Sequence, residues 1–263
     1  MSSIFFLPYN PFFLRILQES PPDFVNYCYI CSFQQLGFFS IMKRMVVLLA
    51  ALAAVFACRK ESGAGSSCPP GAVDLGLSVY WASCNVGASS PEEYGDYFAW
   101  GETEPKDPNR FYTYKYSSSS TPVTKYGTDS TYGIVDNKTV LDPEDDVAHV
   151  KLGGSWRMPT VSEIEELKNA SNCTWEWTTL NGVNGYKVTS KKTGYTDKWI
   201  FLPAAGGLYD PRPLGAGSVG VYWSSSLDTD YPYRAFHLSF RSAYVTGFSS
   251  VRHYGLSVRP VSK

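Results

Sequence analysis

A six-residue segment near the C-terminus alternates strictly between apolar and polar side chains. Its residues run from Phe236 through His237, Leu238, Ser239 and Phe240 to Arg241. A period of two is typical of a β-strand that has one buried and one exposed face. The plainest interpretation is an edge strand with aromatic-rich loops. The alternation therefore predicts a sheet in this part of the chain, with the polar residues facing outward.

The exposed face and its flanking loops, within residues 221–260, are rich in Tyr, Ser, Asp and His. This mixture is more typical of a binding surface than of an ordinary solvated one, because Tyr offers a large and rigid contact area. We therefore predict that the segment binds an unknown protein or glycan ligand. The predicted contact residues are Asp228, Asp230, Tyr231, Tyr233, His237, Ser239, Arg241, Tyr244, Phe248, Ser249, His253 and Tyr254.

Short strand-like segments recur through residues 71–263, and one helix stands out among them. Thr160 and Glu163 form a capping box, so a helix is predicted from Thr160 to about Asn169. Strands outnumber helices, which predicts one α+β domain with a twisted, mostly antiparallel sheet, few helices and long loops. Strands are expected at residues 175–178, 186–190 and 199–203, a turn at 181–185 and a long surface excursion at 112–132.

The chain before this domain has the pattern of an exported lipoprotein. Two basic residues precede an apolar run at residues 46–57, which is too short to span a bilayer but suits a signal peptide. The run ends in Val-Phe-Ala before Cys58, which resembles the bacterial lipobox with a bulkier Phe than usual; the alternative is a buried helix with a chance cysteine. The pattern predicts a signal peptide at 42–57, lipidation of Cys58 and a flexible tether at 58–70. The protein is then expected at the outer membrane or cell surface, attached to the membrane by its lipid.

Residues 1–41 lie upstream of that complete signal sequence. They are rich in Phe and Pro and show no periodicity. We interpret them as an upstream extension from a misassigned start codon, with Met42 or Met45 as the true first residue. Phe12 and Phe24 are then expected to lie outside the main core.

The cysteines fit an exported protein. Beyond the lipobox, Cys68, Cys84 and Cys173 permit one disulfide with one cysteine left over. We predict a disulfide between Cys84 and Cys173, because both lie inside the domain whereas Cys68 lies at the tether. No Cys-x-x-Cys occurs beyond the leader, so a structural zinc site is not expected.

Charge and motif spacing argue against several classes of function. The chain has 23 basic and 24 acidic residues without a basic run, so no nucleic-acid partner is predicted. The three histidines have no metal-ligand spacing; His149 is interpreted as a structural residue, and His237 and His253 as contact residues. No catalytic residue, cofactor or metal is predicted.

One acidic segment is the strongest source of carboxylates for a glycosidase pair or a calcium site. Its neighbours, including Pro143, favour a solvated loop instead. The segment contains Asp142, Glu144, Asp145 and Asp146.

Five ordered motifs resemble a single family. They are residues 75–88 (LGLSVYWASCNVGA), 94–102 (YGDYFAWGE), 153–160 (GGSWRMPT), 222–226 (YWSSS) and 255–261 (GLSVRPV). They are similar to the Fibrobacter succinogenes major paralogous domain, which is common in lipoproteins of gut Bacteroidetes, over essentially all of residues 72–262. The resemblance implies a C-type-lectin-like fold related to that of the formylglycine-generating enzyme and used mostly for display and binding. That enzyme uses cysteines late in its fold, whereas this chain has none after Cys173, so the same chemistry is not expected.

A subset of such domains resembles the targets of diversity-generating retroelements, which mutate adenines in C-terminal codons. Between Leu227 and Tyr254 the chain lacks Lys, Glu, Gln, Met and Trp, the residues that adenine mutation of an Asn codon cannot produce. The resemblance implies that the exposed contact residues are varied. Trp223, Phe240, Arg252 and Arg259 would then be scaffold. The alternative to a ligand-binding face is a structural module of a fimbrial or envelope assembly, and an enzyme is the least expected function.

Overall fold

The computed structural model describes residues 71–117 and 121–263, which belong to one compact unit. The predicted extension, signal peptide and tether, with Phe12, Phe24, Cys58 and Cys68, lie outside the described residues. In the part of the chain that is described, no helix is both long and apolar enough to cross a membrane.

Antiparallel strands dominate the described structure, and every pairing between its named strands is antiparallel. Only two α-helices occur in the described ranges, so the prediction of a mostly antiparallel α+β fold is confirmed. The helices are α1 (Val147–Leu152) and α2 (Val161–Lys168), and short 3₁₀ turns occur at Pro108–Arg110 and Pro143–Asp145. The strands are β1 (Ala72–Val73), β2 (Tyr80–Ala82), β3 (Cys173–Leu180), β4 (Val183–Ser190), β5 (Trp199–Pro203), β6 (Gly207–Leu208), β7 (Pro213–Leu214), β8 (Gly220–Leu227), β9 (Arg234–Arg241), β10 (Tyr244–Val251) and β11 (Val261–Ser262).

Three of the sheets have three strands each. Their orders are β1-β2-β11, β3-β4-β5 and β10-β9-β8, and β6 pairs with β7. The pairing of β11 with β2 brings the C-terminus of the chain beside the first strands of the domain.

The capping box at the start of α2 forms as predicted. The Thr160 side chain accepts a hydrogen bond from the Glu163 N–H (3.3 Å), and the Glu163 carboxylate accepts one from the Thr160 N–H (2.8 Å). The helix ends at Lys168, with Asn169 as its C-cap. Ile164 and Leu167 are its buried residues, so local capping and one apolar stripe together fix this helix.

The β3–β4 hairpin has a shorter turn than predicted. Only Asn181 and Gly182 connect the two strands, and both have positive φ (48° and 83°). This is the type I′ geometry that an Asn-Gly pair favours, because its twist matches that of the strands. Val183, Asn184 and Gly185 therefore belong to β4, which corrects the predicted five-residue turn. The predicted strand at Trp199–Pro203 is confirmed as β5.

Two apolar clusters form the core, and β8 separates them. Tyr222 of β8 belongs to the first cluster, together with Ile164, Leu167 and Phe240. Trp223, its neighbour, belongs to the second. Successive side chains point to opposite faces of a strand, and all eight residues of β8 are buried. The β8-β9-β10 sheet is therefore covered on both faces along β8.

β9 is the central strand of this sheet, so the interpretation of residues 236–241 as an edge strand is wrong. Leu238 and Phe240 face the first cluster, while Ala235 belongs to the second. A period-two sequence predicts one exposed face, but here the polar face is also partly covered. β10 and β8 are the two edge strands of this sheet within the described residues, and β8 makes isolated bridges to Val140, Gly206 and Ser257.

Several apolar side chains of residues 112–117 and 121–132 belong to the core, so the prediction of a surface excursion is wrong for them. Tyr116, Val123 and Tyr126 are buried, and Tyr126 packs edge-on against Trp100 with ring centroids 5.2 Å apart. Tyr116 and Tyr126 belong to the second cluster. The Ser/Thr/Tyr-rich composition suggests exposure, but this segment covers part of the core.

The predicted disulfide does not occur in the structure, because Cys84 and Cys173 are both free thiols. Cys173 is a buried member of the first cluster, where burial raises the pKa of its thiol to about 11. It acts there as a small apolar core residue. Cys84 follows β2, and its Sγ lies 3.5 Å from the Ser83 hydroxyl.

Candidate ligand-binding surface

The predicted contact residues do not form a single exposed face. The structure divides them into a groove, a two-stranded ribbon and a row of packed aromatic rings, and it buries two of them. The groove contains Asp230 and Tyr231, with Tyr233 packed beside it; the ribbon contains Ser239, Arg241, Tyr244, Phe248 and Ser249; the row contains His253 and Tyr254; Asp228 and His237 are buried.

The groove lies between the β8–β9 loop and the segment of residues 128–135. Its volume is about 810 Å³, which is in the usual range for ligand sites. Two tyrosine rings line it, Tyr132 on one wall and Tyr231 on the other. Tyr233 packs against both, with ring centroids 5.4 Å from Tyr132 and 6.1 Å from Tyr231. The groove is lined by Thr128, Asp129, Ser130, Tyr132, Val135 and residues 229–231.

Two sets of hydrogen bonds shape the groove. The Thr128 hydroxyl donates to the Thr229 carbonyl (2.9 Å) and so joins the two walls. The buried Asp228 carboxylate accepts from the N–H groups of Asp230 (3.2 Å) and Tyr231 (3.3 Å). The prediction that Asp228 is an exposed contact residue is therefore wrong, because its carboxylate is used to fold the loop.

Arg252 supports both walls from below the surface. Its guanidinium donates to the Pro232 carbonyl (2.7 Å) in the β8–β9 loop and to the Tyr126 carbonyl (3.1 Å), two residues before the opposite segment. It also lies 4.9 Å from the centroid of the Trp100 ring. Arg252 is 1% exposed, as its predicted scaffold role requires. Trp223, Phe240 and Arg259, also predicted as scaffold, are likewise buried.

The β9–β10 ribbon places several predicted residues on one face, as its register shows. Residues directly opposite in antiparallel strands share a face, and Arg241 is opposite Tyr244 while His237 is opposite Phe248. Tyr244 and Phe248 are exposed, and Ser239 is half-buried between them and β8. The outer part of this face is therefore free to make contacts.

Ser249 lies on the opposite face of the ribbon. Its hydroxyl accepts a hydrogen bond from Arg234 Nε (3.0 Å), and its carbonyl accepts another from Arg234 Nη2. Ser249 is thus engaged in holding the edge strand.

His237 is buried, so its prediction as an exposed contact residue is wrong. Its ring packs edge-on against Trp223 with centroids 5.8 Å apart, and its Nε2 lies 2.9 Å from the Ser250 hydroxyl. Burial lowers the pKa of His237 to about 4, so the ring is neutral at physiological pH. The second core cluster covers the strand face that the alternation leaves polar.

His253 and Tyr254 lie in a row of packed rings. Their centroids are 5.0 Å apart, His253 contacts Phe111 at 5.5 Å, and Tyr254 contacts Tyr209 at 5.3 Å. Both are half-buried, and burial lowers the pKa of His253. Exposed Tyr112 extends the row from Phe111 (5.1 Å). These rings support the C-terminal segment and are only partly open to a ligand.

In the acidic segment of residues 142–146, Asp145 and Asp146 are buried, so the interpretation of this segment as a solvated loop is wrong for these two residues. Asp145 accepts hydrogen bonds from Lys115 (2.7 Å), Lys125 (2.6 Å) and the Tyr126 hydroxyl (2.6 Å). Burial opposes its ionisation, but these hydrogen bonds outweigh that effect and hold the pKa of Asp145 far below its usual range. Asp146 caps α1 by accepting from the N–H groups of Ala148 and His149.

The acidic residues do not form an open cation site. Carboxylate oxygens of Asp142, Glu144 and Asp145 lie within 4.8 Å of one another. The Lys125 ammonium lies among them, at 2.6, 3.6 and 2.6 Å respectively. An amino group therefore already supplies the positive charge that a metal ion would bring, and the cluster is structural.

The chain matches no protein-family model, no curated protein and no solved structure. A functional assignment must therefore come from its own residues.

The sequence did not predict the groove wall formed by Thr128, Asp129, Ser130 and Tyr132. Its signal was present in the composition, because residues 112–132 share the Tyr, Ser and Asp content of the C-terminal loops. What the sequence does not give is the contact between two segments about one hundred residues apart, such as the Thr128–Thr229 hydrogen bond.

Proposed function

We propose that this chain is a lipid-anchored surface protein whose C-terminal segment binds a protein or glycan ligand. The observation that best supports this proposal is the exposure of three large aromatic side chains within residues 221–260. Tyr231, Tyr244 and Phe248 are 49%, 45% and 56% exposed. Leaving half of such a ring in water forgoes about 1 kcal/mol of burial free energy, so three half-exposed rings within one short segment favour a contact role.

The structural support beneath these three aromatic residues also favours a binding role. They are attached to β10 and to the loop between two strands, β8 and β9, that are packed against both core clusters. A rigid support lowers the entropy that is lost when a contact residue is immobilised by a ligand. Arg252 adds hydrogen bonds from below. This is the arrangement expected of a display scaffold.

We further propose that the α+β domain is C-type-lectin-like and that its exposed C-terminal positions are diversified by a retroelement. Support for the fold is the mostly antiparallel structure with few helices, together with the five family-like motifs. Support for diversification is the restricted residue usage between Leu227 and Tyr254. Asp228 and His237 are buried, so they are not included among the positions proposed to be diversified. A reverse transcriptase gene with a near-identical template repeat beside the gene tests this proposal, and its absence would refute it.

Attachment to the membrane rests on the lipobox-like segment before Cys58. Metabolic labelling with a radioactive fatty acid should label the full-length protein and not its Cys58→Ala variant. Equal labelling of both proteins would remove the anchor from the proposal.

The ligand-binding proposal is tested with full-length protein immobilised on beads and offered to glycan arrays and surface extracts. A variant that combines Tyr231→Ala, Tyr244→Ala and Phe248→Ala should lose capture and keep its melting temperature within a few degrees, because the removed rings are largely exposed. The matched control removes exposed apolar side chains elsewhere, with Val150→Ala and Trp199→Ala. Capture that survives in the triple variant, or that is lost in the control, would contradict the proposal.

One observation favours the alternative, a structural module of an envelope assembly. β10 is an edge strand within the described structure, and an exposed edge can pair with a strand of another chain. This alternative predicts that Gly247→Pro abolishes assembly into larger complexes, because Gly247 and Leu238 form a non-hydrogen-bonded pair and the Gly247 N–H points away from β9 toward the free edge. It also predicts that neither the parent protein nor the triple aromatic variant captures a ligand on the beads.

A further inference from the structure

The groove between the two segments carries negative charge on both walls. Asp129 lies on one wall and Asp230 on the other, and no lysine or arginine lines the groove among the described residues. A hydrogen bond from the Thr131 N–H to the Asp129 carboxylate (2.8 Å) lowers the pKa of Asp129, so this residue is ionised at neutral pH. The Asp230 carboxylate has no ion pair in the described part of the chain.

This charge differs from that of the acidic cluster beside Lys125. There, three lysines neutralise the carboxylates, whereas the groove retains its two negative charges and faces solvent. Arg252, the cation below the groove, does not line it. Its guanidinium donates to the carbonyls of Pro232 and Tyr126. Charge complementarity therefore favours a positively charged occupant.

The aromatic rings of the groove favour the same kind of occupant. Tyr132 and Tyr231 line the groove, one on each wall, and Tyr233 packs against both, with ring centroids 5.4 and 6.1 Å apart. The face of a tyrosine ring attracts a guanidinium or ammonium group. Tyrosine rings alone would also suit a sugar. The negative charge of Asp129 and Asp230 gives a neutral glycan no advantage over neutral hydrogen-bonding residues, whereas it attracts a cation.

We propose that this groove binds an arginine- or lysine-bearing segment of a protein partner. The guanidinium or ammonium group lies against the tyrosine rings and pairs with Asp129 and Asp230. The groove, at about 810 Å³, has room for several residues of an extended peptide. This inference rests on the proposed binding function and specifies the ligand class for one part of that surface.

The test uses the full-length protein and two fluorescein-labelled octapeptides, one of alternating Arg and Gly and one with citrulline in place of each Arg. Citrulline keeps the shape of the side chain but has no charge. Fluorescence anisotropy should show binding of the arginine peptide and at least about fivefold weaker binding of the citrulline peptide, which is the scale of two lost exposed ion pairs. Binding of the arginine peptide should also weaken between about 50 and 500 mM NaCl, because salt screens exposed charges.

Two matched double variants test whether the carboxylates of Asp129 and Asp230 bind the arginine peptide. Asp129→Asn with Asp230→Asn should weaken binding of the arginine peptide at least about fivefold. Asparagine retains an oxygen that can accept the hydrogen bond from Thr131, so the turn is kept. The control, Glu176→Gln with Asp197→Asn, makes the same change in net charge at two exposed residues outside the groove and should leave binding unchanged.

A second pair of variants tests the ring. Tyr231→Ala should weaken binding of the arginine peptide, whereas Tyr231→Phe should preserve it, because the aromatic face and not the hydroxyl carries the cation contact. Equal binding of the two octapeptides, no effect of the double asparagine variant, or no binding of the arginine peptide at about 1 mM would each overturn the inference. The proposed function and this inference can fail separately. If the beads capture a neutral ligand through Tyr244 and Phe248 while the arginine peptide does not bind, the proposed function stands and this inference falls.

Discussion

Replacing Arg252 with methionine should destabilise the domain more than any other single change at an arginine near the groove. The guanidinium donates to the carbonyls of Lys125 (2.9 Å), Tyr126 (3.1 Å) and Pro232 (2.7 Å) and to the Tyr114 hydroxyl (3.0 Å). Methionine fills a similar volume but donates no hydrogen bond. The carbonyls would be left buried without their partner.

The expected loss of unfolding free energy follows from these contacts. Each buried acceptor left without a donor costs about 1–3 kcal/mol. The loss of the guanidinium contact with Trp100, at 4.9 Å, adds about 1 kcal/mol. The variant is also relieved of burying a charge, which offsets part of this cost. We expect a net loss of about 3–5 kcal/mol, which corresponds to roughly 10 °C in melting temperature for a domain of this size.

The assay combines urea unfolding with hydrogen exchange. Arg252→Met should speed exchange in the two segments that its guanidinium joins, residues 122–137 and 228–234, before the rest of the sheet. Arg259→Met is the informative comparison, because Arg259 is equally buried but donates to the carbonyls of Ala82 and Phe201. It should cost a similar free energy and speed exchange near those residues instead. Arg241→Met, at an exposed position, should change stability by less than about 0.5 kcal/mol.

Two results would refute this reasoning. A loss below about 1 kcal/mol for Arg252→Met would mean that water or a rearranged side chain replaces the lost donors. Faster exchange spread evenly over the domain would mean that Arg252 does not specifically hold the two walls of the groove together.

Two further predictions concern the β8-β9-β10 sheet. Burial lowers the pKa of His237 to about 4, so between the unfolded value of about 6.5 and that value only the unfolded chain gains the proton, and stability falls as pH falls. The parent should lose about 2 kcal/mol more than His237→Gln between about pH 8 and pH 5 in urea titrations; equal losses would contradict the prediction. Gly220→Ala should cost about 2–3 kcal/mol or more, because its methyl group would overlap the buried Phe240 ring. Gly247→Ala would meet the flexible ends of Glu165 and Lys168 and, at the ordinary contact distance of 3.9 Å, the His237 carbonyl, so it should cost less than about 1 kcal/mol. Equal melting temperatures of the two alanine variants would refute the packing argument.

Local sequence signals predicted the elements that depend on few residues. The capping box placed the start of α2 correctly, because its hydrogen bonds join Thr160 and Glu163 within one turn of helix. β5 was also predicted correctly, whereas the β3–β4 turn was predicted too long, since the tight Asn181–Gly182 geometry lets both strands extend further than the turn residues suggest.

Burial at the candidate site could not be predicted in the same way. His237 occupies a polar position in an alternating strand, yet it is buried because Trp223 and the second core cluster cover that face. Asp145 lies in an acidic segment that reads as solvated, yet Lys115 and Lys125 come from a distant segment to pair with it. In both cases the deciding neighbours belong to another strand or segment, so no signal within the local sequence reports them.

The sequence by itself determined that residues 71–263 would form a mostly antiparallel α+β domain and that aromatic residues would collect in its C-terminal segment. Periodicity, capping and composition are local properties, so one chain suffices to read them. Only the tertiary structure decided which of those residues face solvent and that residues 128–132 meet the β8–β9 loop to form a groove. The buried Arg252 donates to the carbonyls of Tyr126 and Pro232, and the Thr128 hydroxyl donates to the Thr229 carbonyl. These contacts join residues about one hundred positions apart, which no local sequence signal reports.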